Sequence, residues 1–529
     1  MSRTKNKKNL VKPDNAIGSE SDVDVFVLKI VIAVSAVFSV LATVLFDKTN
    51  QLNGIAFAIF GFSVVIAVAV YLGINKKLTT QNIIILLFAA GFVIRLNYIL
   101  GTYLTNTRRV RQHDLYKFGG EKGHSAYIEH FYNNGFTMPD FDPTTKAQFY
   151  HPPLHHFLSA LWMRLLTTFN MSYDRAISSL QFLTLFYSMC FLVVAERTLD
   201  KLKLRGLGKI IPLAIITFHP TFIIFSGSVN NDNLSTLFTL LAFYAALAWE
   251  KEPIMKNIML IAVSVGLGMS TKLSVALIAP AIAIIFLDKV IYNGKNFVSY
   301  FKQFVAFAFV CLPLGLWFYV RNSVKFDVPI TYVPRLSETS DQYVGYHTTY
   351  ERLFDFSYHP FKNIFMNRVV NGEGEYFEYN PFVSIIKSSV FGEYNFSETV
   401  AGIVPFCRIL LILNVILIAI SLAAAVYCTV RKSSFMNTVQ RIFIVFYYIL
   451  SFVFYVKFAF QYPHTCSMDY RYIPMTCVIG SIFIGMAFEE IKFDFPEKDN
   501  IINPIRYSVI GITSLFCITS VLVCVILCS

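Results

Sequence analysis

The sequence predicts an all-α polytopic membrane protein of about thirteen transmembrane helices, and three observations carry that prediction. First, the 529 residues are 55% hydrophobic and only 15% charged, whereas a soluble chain of this size needs roughly 25% charged residues to cover its surface. Mean hydropathy is +0.55. Second, thirteen apolar runs recur along the chain, most of them near the ~20 residues that cross a bilayer's hydrocarbon. Third, Lys and Arg crowd alternate connections, which is the positive-inside bias of membrane insertion. Fifty-two Phe and 29 Tyr suit lipid-facing helices and interfacial belts.

In chain order the runs fall at about 24–46, 55–74, 81–100, 175–199, 208–228, 233–250, 256–270, 272–288, 303–320, 401–430, 442–460, 473–490 and 507–528. Residues 1–23, opening MSRTKNKKNLVKP, read as a disordered basic cytoplasmic tail. The apolar run behind the tail is longer than a signal-peptide core, so no cleavable signal is read. Residues 24–528 read as a single transmembrane domain with two long outer loops, 101–174 and 321–400.

Sidedness follows from the cations. The tail, Lys76–Lys77, the Arg197–Lys209 cluster, Lys251 and Lys256, Lys289 and Lys295, Arg431, Lys432 and Arg441, and Lys492, Lys498 and Arg506 occupy alternate connections. Those connections are assigned to the cytoplasm, with the N-terminus inside and, for an odd count, the C-terminus outside. The loop 101–174, the Asn230–Asn233 tip, the Lys272 tip, the loop 321–400 and the Gln461–Tyr472 tip then share the other side. Polar clusters gathered on one face suit a one-sided active site. A transporter places its binding groups near the midplane on broken helices, often in two related halves, and no internal repeat is visible.

The net charge of +12 is accounted for by the basic inner connections, so no nucleic-acid partner is expected. Eight of nine Cys lie in or beside apolar runs and only Cys466 sits in a polar loop, so no disulfide framework or CxxC site is read. No GxxxxGK[ST] and no GxGxxG after a strand is present, which leaves nucleotide-driven chemistry unsupported.

Four constellations on the outer side carry chemistry. His113-Asp114 stands near Arg108, Arg109 and Arg111. Cations depress a carboxylate pKa and keep it ionised as a base; the alternative is a loop Asp that caps a helix or pairs with an arginine. Next, KAQFYHPPLHHFLSALWM (Lys146–Met163) breaks at Pro152-Pro153 and continues as an amphipathic helix fit to lie in the interface. Its start holds Tyr150, His151, His155 and His156, and with Lys146 these suit a phosphate at headgroup depth. Structural histidines and a metal site are the alternatives, but adjacent rings on a helix point apart and no HExxH appears, so no metal is assigned and no cofactor is required. Third, Asn230, Asn231, Asp232 and Asn233 form a tight turn that either caps the following helix or lines a polar floor under a sugar or lipid phosphate. Fourth, Lys272, Arg321 and Arg471 (the last in MDYRYIP with Asp469) end outer spans against the charge bias; snorkelling explains each singly, and an anion site explains the three together. The loop 321–400, with EGEYFEYNPF, reads as an interfacial helix plus a cover over the site.

With these pieces in place the chain resembles the GT-C membrane glycosyltransferases, in particular bacterial members related to protein O-mannosyltransferases and to the lipid A aminoarabinose transferase. The resemblance runs from about residue 81 to 490 and is carried by HDLYKF, QFYHPPLHHFLSALW, SVNNDNLSTLFTLLAFY, GLGMSTKLSVALIAP, WFYVRN and DYRYIP in that order. It implies a GT-C type fold with short interfacial helices in the outer loops. It also implies a polyprenyl-phosphate sugar donor, transfer on the extracytoplasmic face of a plasma membrane, and inversion at the anomeric carbon. Asp114 matches the family's first-loop acid, the base or acceptor-orienting carboxylate. His151-Pro152-Pro153-Leu154 matches the segment near the lipid phosphate, although many relatives carry Lys where His151 stands. Relatives often have an Asp-Glu pair, whereas Leu115 follows Asp114; Glu121 and Asp232 are the candidates for a second carboxylate. The substrate-binding set expected is His113, Glu121, Lys146, Tyr150, His151, His155, Asn231, Asp232, Lys272, Arg321, Asp469 and Arg471. The acceptor hydroxyl, whether of protein, glycolipid or cell-wall polymer, and the sugar stay open. The competing class is a transporter or flippase of a lipid-linked substrate, and a third is a scaffold for envelope assembly.

Overall fold

In hydrocarbon every backbone amide must bond within its own segment, and the apolar runs accordingly become helices. The structure, a computed structural model, describes residues 25–47, 54–102, 104, 115–357, 364–365, 378–392, 402–494 and 499–528. The tail 1–23, His113 and Asp114 lie outside the described residues. Among the described residues no strand forms, and an isolated bridge joins Tyr343 to His464.

The helices are α1 (Val25–Leu45), α2 (Gly54–Ile74), α3 (Thr80–Gly101), α4 (Gly123–Asn133), α5 (Leu154–Thr168), α6 (Tyr173–Ser178), α7 (Leu180–Lys201), α8 (Gly206–Phe218), α9 (Pro220–Gly227), α10 (Asn231–Lys251), α11 (Met255–Met269), α12 (Ala279–Tyr292), α13 (Phe297–Phe326), α14 (Thr349–Phe354), α15 (Pro381–Phe391), α16 (Val404–Val430), α17 (Thr438–Gln461), α18 (Met475–Asp494) and α19 (Asp499–Leu527). The first two leave Phe26, Val37, Ile59, Phe60 and Tyr71 exposed, an apolar wall suited to lipid.

All thirteen apolar runs coincide with helical segments, but the count of spans changes. Among the described residues nine helices are long and apolar enough to cross a membrane, and a bent pair would make a tenth. That pair is α8 and α9, which the sequence reads as one run; it bends by 47° at His219. The cause is Pro220, which lacks an amide proton and pushes the preceding residue out of the helical region, and His219 is extended at φ −65°, ψ 126°. The other three runs fall short. α11 has only 15 residues, α10 opens on Asn231, Asp232 and Asn233, and α18 closes on Glu489, Glu490 and Lys492. Of the thirteen runs expected to span, nine or ten qualify by length and composition among the described residues. α10 is mostly buried, as is the described part of α18, so neighbouring helices shield their polar ends.

One close approach joins α8 to α18 near the start of α8. A Cβ placed on Gly485 of α18 would stand 2.3 Å from the carbonyl oxygen of Gly208 on α8, so these helices meet backbone to backbone.

Polar side chains collect at the two ends. At one, Lys209 at the start of α8 bridges Glu196 (2.6 Å) and Asp200 (3.1 Å) at the end of α7. There also Glu250, ending α10, takes Asn437 at 3.0 Å and Gln440 at 2.6 Å, and the Ser433 hydroxyl donates to Glu490 at 2.8 Å. These are the connections rich in Lys and Arg. At the other end stand the two long loops and the three tips that the sequence groups together.

Candidate functional site

The site is built on the first turn of α10. Asn230 is extended, and its side-chain oxygen accepts the Asp232 amide at 3.1 Å, which starts the helix there. This leaves the Asp232 carboxylate 3% exposed, bonded to the Asn230 side-chain nitrogen at 3.0 Å and ion-paired to Lys272. Lys272 arrives because α11 stops at Met269 and the chain turns into a short 3-10 helix, Leu273–Ile278. The Asn231 side chain ties the two tips by donating to the Thr271 carbonyl at 3.2 Å. Asn233 donates to the carbonyls of Thr184 (2.8 Å) and Phe225 (3.1 Å), joining α10 to α7 and to the bent pair.

A third tip completes this cluster. Asp469 accepts the Arg471 amide at 2.7 Å and so caps the 3-10 turn Tyr470–Tyr472. That turn sets the Tyr472 ring between two cations, with Lys272 Nζ 5.0 Å and the Arg471 guanidinium 5.5 Å from its centroid. Such placement over a ring face is attractive for a cation. Burial raises the Tyr472 phenol above its ordinary range.

The first outer loop docks onto this cluster through α5. The Leu154 amide donates to the Ser270 carbonyl at 3.0 Å, two residues from Lys272. On α5, His155, His156, Ser159 and Met163 are buried, while Phe157, Leu161 and Leu165 are exposed; the amphipathic spacing read from sequence is the spacing observed. Trp162 Nε1 donates to Ser179 Oγ at 3.1 Å, fixing α5 to the start of α7. His155 is fully buried with neither ring nitrogen bonded, and burial pushes its pKa down to about 3. His151 is half-buried, its ring tilted 47° to that of Tyr150 at 4.5 Å.

Arg321 ends elsewhere. Its guanidinium donates to the Pro139 carbonyl and, at 2.8 Å, to Asn322, while neighbouring Lys325 pairs with Asp140. Tyr150 meets Tyr332 edge-on at 5.9 Å. Together these contacts clasp the first outer loop to the segment after α13. A small cleft lies there, lined by Tyr150, Tyr319, Asn322 and Tyr332 among others.

The structure thus brings together Asn231, Asp232, Lys272, Asp469 and Arg471, with His155 joined to them through Leu154 and Ser270. Arg321 and Tyr150 stand at the clasp. Lys146 covers the Phe141 ring at 4.9 Å, and Glu121 is exposed. His113 and Asp114 fall outside the described residues; next to them, the Leu115 carbonyl accepts the Ser125 amide at 3.0 Å and its hydroxyl at 2.6 Å.

Sequence reasoning expected a helix in the second loop but missed Tyr472 and the place of Lys387 on α15. Asn380 caps α15 by accepting the amides of Phe382 (2.9 Å) and Val383 (3.3 Å). Lys387 on that helix pairs with Glu378 at 2.6 Å, each side chain 1% exposed. Ser388 Oγ accepts the Tyr470 amide at 2.9 Å, so α15 backs directly onto the Asp469–Tyr472 turn. Arg352, also buried, donates to the Ala459 carbonyl at 2.9 Å and holds α14 at the end of α17. The available signal was Asn-Pro ahead of an apolar stretch with one Lys, a capped buried helix in miniature.

Among the described residues no three His, Cys, Asp or Glu side chains are grouped to hold a metal ion. No protein-family model matches the chain, and no curated protein matches it.

Proposed function

We propose that the chain is an inverting membrane glycosyltransferase that moves a sugar from a polyprenyl-phosphate donor to an acceptor hydroxyl on the extracytoplasmic face of a plasma membrane, with Asp114 as base. The observation that supports it best is the convergence of Asp232, Lys272, Arg471 and Tyr472, from three separate tips, beside the first outer loop. In this reading Asp114 takes the acceptor proton, the acceptor oxygen bonds to C1, and the C1–phosphate oxygen bond breaks. The departing lipid phosphate gains charge that Lys272 and Arg471 stabilise, with Arg321 holding the loop edge. A phosphate leaving group needs little acid help, so cations matter more than a proton donor.

We further propose that α10, α11 and α18 also cross the membrane, giving about thirteen spans with the N-terminus cytoplasmic. The exposed face of α5 (Phe157, Leu161, Leu165) then rests in the interface, where the prenyl tail enters. The polyprenyl-phosphate sugar donor and membrane lipids are the partners in this reading.

The test is turnover by purified protein in detergent. Asp114→Asn is expected to abolish transfer or hydrolysis of polyprenyl-phosphate sugars while donor binding persists; retained turnover reassigns the base. A second reading, a transporter or flippase, is favoured by one feature, the break in α8–α9 with Arg95 lodged against it. Turnover in detergent, where no compartments exist, separates the two.

A further inference from the structure

Two neighbouring helices leave an apolar furrow with a cationic mouth. α7 and α10 both run from the loop-bearing end to the basic end and stay side by side. At the first end the Asn233 side chain donates to the Thr184 carbonyl at 2.8 Å; at the second, Lys201 Nζ lies 5.8 Å from the Tyr244 ring centroid. On α7, Leu183, Phe186, Cys190, Val194, Arg197 and Lys201 are half-buried, while the residues between them are almost all buried. Steps of three and four place these six on one face. On α10, Leu237, Leu241 and Tyr244 are likewise half-buried, and their stripe ends at the exposed Lys251. Because Lys201 of one stripe reaches Tyr244 of the other, the two stripes border one furrow.

Half-buried Leu, Val and Phe along a span meet lipid tails, but the charges at the mouth ask for more. Lys251 and Arg197 repel Lys201, while Glu252 and Asp200 attract it. Asp200 is already held by Arg197 at 3.0 Å and by Lys209 at 3.1 Å. Among the described residues neither Lys201 nor Lys251 forms an ion pair or a side-chain hydrogen bond, and the Tyr244 hydroxyl makes none there. Snorkelling draws one lysine toward the headgroups; it does not account for two ammonium groups kept close with no carboxylate between them. Just beyond Lys251, Ile254 and Met255 are exposed, so the mouth lies where apolar surface gives way to charge.

We propose that the furrow between α7 and α10 binds one anionic phospholipid. Lys201, Lys251 and the Tyr244 hydroxyl hold its phosphodiester, and one acyl chain lies along Val194, Cys190 and Leu241. The length suffices: from Leu183 to Lys201 α7 rises about 27 Å, more than the ~15 Å that one leaflet contributes to a ~30 Å hydrocarbon core. The chemistry suffices as well, since a basic side chain near the surface raises affinity for anionic lipid roughly fivefold apiece, and a phenol at this depth offers a hydrogen bond from an otherwise apolar ring. A shared anion also relieves the repulsion between the two lysines. Phosphatidylglycerol fits these demands, with one phosphodiester charge and two tails; phosphatidylcholine has the tails without the net charge. The site lies at the end of the bundle opposite Asp232 and Lys272, so it stands whether or not any sugar is transferred there.

The test uses delipidated full-length protein in detergent, titrated with phosphatidylglycerol and separately with phosphatidylcholine, with retained lipid counted by native mass spectrometry. One phosphatidylglycerol is expected to be retained in preference to phosphatidylcholine; equal retention overturns the proposal. Lys201→Gln/Lys251→Gln is expected to weaken that retention about tenfold or more. Lys295→Gln/Lys432→Gln removes the same charge from two exposed positions in other basic connections and is expected to change little. Equal weakening by the two double variants marks a general electrostatic attraction and refutes the site. Val194→Trp keeps every cation but fills the furrow, as does Leu241→Trp from the other helix; both are expected to weaken retention, and unchanged retention in a folded variant refutes the placement of the tail. Phosphatidylglycerol is expected to raise the unfolding midpoint and inorganic phosphate to leave it unmoved. An equal rise with phosphate marks a site for a soluble anion and overturns the lipid.

Discussion

Lys272→Met separates a counterion from an anion-binding group. Removing the ammonium leaves the Asp232 carboxylate, 3% exposed, without its ion pair. Breaking a buried pair by deleting one partner costs about 3–5 kcal/mol. Two compensations remain, the Asn230 side-chain nitrogen at 3.0 Å and the amide-rich first turn of α10, whose dipole favours an anion by about 0.3–1 kcal/mol. The loss is therefore expected at the lower end, about 3 kcal/mol. Adding Asp232→Asn removes the stranded charge, so the double variant recovers most of that loss, a coupling of about 2 kcal/mol. Stability is read by denaturant titration in detergent and turnover by release of sugar from polyprenyl phosphate. The double variant is expected to be folded and inactive, because the leaving phosphate still lacks its cation. A folded double variant with full turnover reduces Lys272 to a structural counterion. An unchanged single variant refutes the ion pair itself.

Acid offers a second handle. The His155 pKa, pushed down to about 3 by burial, is below its unfolded value of about 6.5. The unfolded chain binds the extra proton between those values, so this contribution is complete above pH ~6.5 and shrinks as pH falls toward 3; at pH 5 the loss is about 2 kcal/mol. His156 adds in the same direction, and His155→Phe is expected to flatten the pH dependence of unfolding between pH 7 and 5. For the second loop, Glu378→Gln strands the Lys387 ammonium and is expected to cost about 3–5 kcal/mol, with Glu378→Gln/Lys387→Met recovering most of it; equal stability of single and double variants refutes the pair. Gly485→Ala drives a methyl against the Gly208 carbonyl at 2.3 Å and is expected to cost about 1–3 kcal/mol, read as a lowered unfolding midpoint, whereas Gly511→Ala, with open space around it, leaves the midpoint unmoved.

What could be read in advance follows the physics of each signal. Lipid imposes a period-free apolar signal on lone spans such as α1, α2 and α16, and these were legible almost to the residue. The shielded helices α10 and α18 were read as spans from their apolar middles, but their charged ends leave them off the set that qualifies by length and composition, because neighbours relieve them of the need to be apolar throughout. The bend at His219 was written in Pro220, yet the run around it is hydrophobic enough to pass for a straight span. In the site, Asp232, Lys272 and Arg471 were placed on one side by the cation bias alone, while the Asp232–Lys272 pair joins tips 40 residues apart in sequence and Arg471 meets them through Tyr472 from a third tip. Arg321 belonged to the same set on charge, and only the Pro139 carbonyl shows it facing the loop instead. Tyr472 and Lys387 carried no local pattern, since each acquires its surroundings from a distant segment.

The guanidinium of Arg95 has a consequence for biogenesis. It is buried in α3, where it donates to Ser188 Oγ at 2.8 Å and to the Thr217 carbonyl at 2.9 Å, a partner 122 residues later. At translation speeds of about 5–20 residues per second, those 122 residues take about 6–24 s to emerge. Over that interval the cation has the Gly91 carbonyl of its own helix, at 3.1 Å, and after 93 residues Ser188, in a hydrocarbon that disfavours a charge. The nascent chain must therefore linger at the insertion machinery until the bent pair arrives, and α3 is where a fault in co-translational insertion would first be seen.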